Sequence, residues 1–133
     1  MRKLLGIALM GLGLVSQSWA QCPDGNYKVM GWNAGLNHKD TNKASYHGKA
    51  TIETNGEICR MTWTIAGQSF AGVGFFYPNT KPQLLTMSYA SLSEGWFGAV
   101  DYVVEGNKLV GTWVVSTKGK TPQTPGKEIL TKQ

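Results

Sequence analysis

The sequence predicts an all-β domain, an eight-stranded antiparallel up-and-down meander closed into a small barrel. Three observations carry this expectation. Apolar and polar residues alternate over successive short runs, the period of a sheet with one buried face. Glycine-bearing pairs at Asn55-Gly56, Gly67-Gln68 and Gly106-Asn107 separate those runs, and such pairs suit two-residue hairpin loops because they accept positive φ. Aromatic residues and glycines recur along the faces that would point inward, a pairing of large and small that suits a tightly curved sheet.

The first segment reads as a processing signal. Arg2-Lys3 leads an apolar run from Leu4 to Val15, and Ser18-Trp19-Ala20 supplies small residues at the positions a signal peptidase needs. The run is shorter than the ~20 residues a spanning helix requires. Residues 1–20 are therefore expected to be removed, leaving residues 21–133 as one exported barrel domain, periplasmic or secreted. Without Arg2 and Lys3 the 13 basic residues fall to 11 against 8 acidic ones, a net of +3. The lysines are dispersed and form no arginine-rich stripe, which disfavours nucleic acid as a partner.

Tyr27 to Trp32 forms the first expected strand, and Asn33 to Ser45 a long polar loop. Tyr46 to Tyr77 follows as three strands. With Asn55-Gly56 at the centre of a type I′ turn, Ile52 faces Cys59, Ala50 faces Met61 and Gly48 faces Trp63. With Gly67-Gln68 at the next turn, Trp63 faces Gly72 and so lies between two glycines. Pro78 to Pro82 is a turn, and Leu84 to Tyr89 a strand. Trp96 to Val104 and Lys108 to Val115 form a hairpin around Gly106-Asn107, with Tyr102 facing Gly111 and Val100 facing Trp113. Ser116 to Gly126 is a second long loop, and Lys127 to Thr131 the last strand.

Eight strands suffice to close a barrel whose lumen holds side chains or one small ligand, and closure removes exposed edges. The expected outline is calycin-like or avidin-like. Tyr46, Met61, Trp63, Phe70, Met87, Tyr89, Tyr102 and Trp113 fall on the lumen side. The tight turns gather at one end and the long loops at the other, where Trp32, His38, Lys39, Lys43, Trp96, Lys118 and Lys120 form a candidate binding mouth. On the outer wall Ile58, Arg60, Val73, Phe75 and Tyr77 align as a strip more apolar than a solvated wall requires. Cys22 and Cys59 both fall at the tight-turn end, and in an exported chain they are expected to form a disulfide.

The pattern Tyr46-x-Gly48, Trp63, Phe70-x-Gly72-Val73-Gly74, Leu85-x-Met87-x-Tyr89, Tyr102, Leu109-x-Gly111-x-Trp113 and Gly126-x-Glu128-x-Leu130 resembles a group of small secreted bacterial β-meander proteins of unknown role, some labelled fibronectin-binding. The resemblance spans most of residues 21–133 and implies no functional residues.

No nucleophile elbow, carboxylate pair or spare thiol stands out, so the chain is expected not to be an enzyme. His38, Asp40 and His47 lack the regular spacing of a metal site, and no cofactor is expected. What remains is an exported binding protein. Because the expected inward set is apolar apart from tyrosine hydroxyls, the sequence favours an interaction or adhesion module using the outer wall and the loop end. The alternative is a carrier of a small apolar ligand in the lumen.

Overall fold

The computed structural model describes residues 21–35, 43–91 and 93–133. The expected signal peptide, His38, Lys39 and Asp40 lie outside the described residues. Eight strands follow one another: β1 (Gly25–Trp32), β2 (Tyr46–Asn55), β3 (Ile58–Ile65), β4 (Gln68–Tyr77), β5 (Leu84–Ser91), β6 (Trp96–Glu105), β7 (Lys108–Thr117) and β8 (Gly126–Lys132). Each pairs antiparallel with the next, and β1 pairs with β8, so the sheet is a closed up-and-down barrel. Among the described residues no helix is long and apolar enough to cross a membrane.

The alternation read from sequence decides which face is buried. Ala50, Ile52, Cys59, Met61, Trp63, Leu85, Met87, Val100, Tyr102, Leu109 and Leu130 all point into the barrel and are buried. Their neighbours in sequence are mostly solvated, as a period of two requires. Toward the tight-turn end Ile52, Leu85, Leu109 and Leu130 join Tyr27 and Val29 in one buried cluster.

The β6–β7 register is the expected one, with Tyr102 opposite Gly111 and Val100 opposite Trp113. The two earlier hairpins differ from expectation by two residues. In the first, Asn55 pairs with Ile58, so the loop is Gly56-Glu57 and Ile52 faces Met61 rather than Cys59. Only Gly56 needs positive φ (63°), as at the first central position of a type II′ turn. In the second, Ile65 pairs with Gln68, leaving Ala66-Gly67 as the loop, both with positive φ (52° and 78°). Trp63 therefore faces Ala50 and Phe70, not Gly48 and Gly72. Its ring still reaches Gly72 diagonally, 3.1 Å from where a Cβ there would stand. A slip of two residues keeps every side chain on its face, so the inward set survives the change.

Cys22 and Cys59 form a disulfide across 37 residues of sequence, the chemistry of an oxidising compartment. The bridge fastens the segment before β1 to β3. Beside it the Tyr27 hydroxyl donates to the Pro23 carbonyl at 2.7 Å, and the Thr54 hydroxyl donates to Asp24 at 2.7 Å. This end is closed.

Candidate functional site: the barrel lumen

The other end is open. Here the long connections brace one another: the Gly35 amide donates to the Thr124 carbonyl (2.8 Å) and the Lys118 amide to the Gly95 carbonyl (3.2 Å). Between them lies the entrance to a cavity of about 400 Å³, a size suited to a small ligand. Asn33, Gln68, Glu94, Trp96 and Thr117 stand around the mouth, and Tyr46, Trp63, Phe70, Tyr89, Trp113 and Glu128 line the interior.

Glu128 is the centre of this site and was not singled out from sequence. On β8 it lies between Gly31 of β1 and Gly111 of β7, its two cross-strand neighbours. Neither glycine supplies a side chain, and an aromatic ring occupies each vacated position. Tyr46, paired with Gly31, lies across it where a Cβ would stand. Tyr102, paired with Gly111, lies across that glycine, its Cε1 2.7 Å from where a Cβ would be. Both rings thus reach over one strand toward β8 from opposite sides. The Tyr46 hydroxyl donates to Glu128 Oε1 at 2.9 Å, and the Tyr102 hydroxyl donates to Oε2. Trp63 Nε1 in turn donates to the Tyr102 hydroxyl at 3.0 Å. A side chain only 4% exposed is thereby held by donors on both oxygens.

Burial pushes the Glu128 carboxyl above the usual carboxylate range, because an ionised group is penalised away from water. The hydrogen bonds from Tyr102 and Tyr46, with Trp63 behind Tyr102, oppose that shift without overcoming it. Burial, then the adjacent Glu128 charge, holds the phenols of Tyr46, Tyr89 and Tyr102 well above the ordinary tyrosine value, so all three remain protonated donors.

The same device, a ring laid over a glycine, recurs nearer the mouth. Tyr89 covers Gly98 and Trp113 covers Gly126, each being the cross-strand partner. Ring contacts join Trp63 to Tyr89 (5.8 Å) and Tyr89 to Trp96 (5.9 Å) edge-on and Trp96 to Phe70 (5.4 Å) at a tilt, and a separate edge-on pair joins Tyr46 to Trp113 (6.5 Å). At the rim Trp96 Nε1 donates to Glu94 Oε2 at 2.7 Å.

No protein-family model matches the chain, and no curated protein matches it. Among solved structures the chain is similar to one described as "REP1-NXSQ fatty acid transporter", at 8% sequence identity and a TM-score of 0.46, over 83% of this chain and 95% of that one. A likeness of this degree bears on neither ligand nor partner.

All eight residues expected in the lumen point inward, and Tyr46, Trp63, Phe70, Tyr89, Tyr102 and Trp113 line the cavity itself, while Met61 and Met87 are packed beneath it. Of the expected loop-end residues, His38 and Lys39 lie outside the described residues. Lys43, Lys118 and Lys120 are exposed and Trp96 joins the rim, but Trp32 is buried at 8% exposure, its indole nitrogen without a partner among the described residues. Of the expected outer strip, Ile58, Val73, Phe75 and Tyr77 are exposed beside Arg60, and Phe97 and Val114 extend it onto β6 and β7. His47 stands exposed on the outer face of β2, and among the described residues no group of acids, histidines and cysteines could hold a metal.

The expectation of an inward set without polar groups beyond tyrosine is corrected by Glu128. The signal was present: in Gly126-x-Glu128-x-Leu130 the alternation that buries Leu130 also turns Glu128 inward.

Proposed function

We propose that the protein is an exported, non-catalytic carrier that holds one small, mainly apolar ligand in its lumen, entered through the long-loop end. The observation that carries this reading is the cavity of about 400 Å³, whose aromatic walls end on a buried, hydrogen-bonded carboxyl. Specific pockets combine apolar lining with a few placed polar groups, and Glu128, Tyr46 and Tyr102 supply that combination. The outer wall is the favoured site only where inward polar groups are scarce, and Glu128 is such a group.

Native mass spectrometry of the protein purified from its own host tests the proposal. A bound small-molecule mass is expected, lost on denaturation and reduced by Val115→Trp, which fills the lumen from the half-buried wall near its mouth. Protein that is uniformly ligand-free, with tryptophan emission unmoved by apolar amphiphiles, would sink the carrier reading. The exposed strip of Val73, Phe75, Tyr77 and Phe97 supports the second reading, a surface that captures a protein. In that case Phe75→Glu and Tyr77→Glu abolish capture while the fold is retained.

A further inference from the structure

The lumen has a sign. Glu128 and Glu94 are its acidic lining residues, and among the described residues no lysine, arginine or histidine lines it. This acidic lining belongs to a chain whose net charge is positive. The basic residues near the entrance, Lys43, Lys118 and Lys120, are exposed on the rim, where their fields are screened over about 8 Å at physiological ionic strength. Glu128, by contrast, is 4% exposed, and little solvent separates it from whatever enters. Two phenols donate to its oxygens, one to each, so a carboxylate can still accept from a guest.

We infer that the ligand is a protonated amine on an apolar body, its ammonium seated against Glu128 among the aromatic rings. This inference rests on the carrier reading and names the chemical class that the carrier takes. Three features converge on it. An ammonium donates hydrogen bonds, and the free capacity at the floor is acceptor capacity on a carboxylate. Trp63, Tyr89, Trp96 and Trp113 present π-systems along the path, which attract a cation electrostatically and tolerate the apolar body behind it. A guest carboxylate of the same shape brings no donor to the floor and, wherever Glu128 is ionised, sets a second negative charge beside it in a poorly solvated space, where like charges disfavour one another. The floor is also narrow, bounded by buried Met61 and Met87, so the charged head cannot pass beyond Glu128 to reach water at the closed end.

Three probes of one chain length and different heads separate the possibilities: octylamine, octanol and octanoate, below their aggregation concentrations at pH 7.5, followed by quenching of lumen tryptophan emission. The expected result is octylamine binding at least tenfold more tightly than octanoate, with octanol between. Glu128→Gln, checked for native circular dichroism, is expected to bring octylamine to the level of octanol and to improve octanoate. Octanoate or octanol binding as tightly as octylamine overturns the inference and leaves the carrier reading standing. A preference for octylamine that survives Glu128→Gln also overturns it, because the seat is then elsewhere. Binding of none of the three removes the carrier reading and this inference with it. Should the variant fail to fold, the three-probe comparison on the native protein decides alone.

Discussion

Glu128 is a carboxyl held where its ionised form is disfavoured, and the consequence for stability has a definite sign. Its folded-state value lies above the ordinary carboxylate value of 4.5, so between the two the folded chain binds more protons than the unfolded one. Its contribution is fully present at low pH and is lost as pH rises from about 4.5 through the raised value. Glu128→Gln, similar in shape to the neutral acid, has no such dependence. In urea titrations of ligand-free protein at several pH values, the native chain should lose stability relative to Glu128→Gln as pH increases through that window. A constant difference across the range would mean that the carboxyl is not desolvated. The device that delivers the two phenols depends equally on what is missing, since any side chain at Gly31 or Gly111 would occupy the space of the Tyr46 or Tyr102 ring.

Hairpins are where sequence reasoning was both strongest and most exposed. Which side chains face inward on β2, β3 and β4 was legible, because apolar and charged residues alternate so strictly that a slip of one would bury Glu53, Lys49 and Arg60. Which of two in-face registers forms was not, because a slip of two leaves that pattern unchanged. The choice then falls to the loop, and neighbouring two-residue windows that share a glycine are nearly equivalent by composition. At Gly106-Asn107 the favoured window was the real one, whereas at Ala66-Gly67 an alanine adopts φ 52° in place of the expected Gly67-Gln68 loop. Left-handed backbone disfavours alanine by roughly 1 kcal/mol. Ala66→Asn should therefore raise stability by about 0.5 to 1 kcal/mol in chemical denaturation, and Ala66→Val should lower it, because a β-branched residue tolerates this backbone still less. Equal midpoints for all three chains would show that the loop backbone relaxes at no cost. Glu128 escaped notice for a different reason. It sits on a short strand flanked by Lys127 and Lys132, where a glutamate reads as part of a solvated charged face.

At the scale of the whole molecule, seven of the strand pairings join consecutive strands and only β1 with β8 closes the ring, bringing Tyr27 beside Lys132. The disulfide acts on the side of that closure, since it fixes the segment entering β1 to β3. On the chain-entropy account a bridge of this span stabilises by roughly 3 to 4 kcal/mol. Reduced protein, or Cys22→Ser with Cys59→Ser, should lose about that much in denaturant unfolding while keeping its β-sheet circular dichroism. A loss below 1 kcal/mol would mean that β1 is held in place without the bridge. Both described ends of the chain meet at this closed floor: Cys22 is bonded there, and the Gln133 amide donates to the Asn26 carbonyl at 2.9 Å. The molecule is thus polarised with respect to attachment. A tag, bead or sensor surface joined at Gln133 holds the barrel by its base and leaves the opening directed away from the support. Immobilised protein should accordingly exchange small solutes as freely as protein in solution.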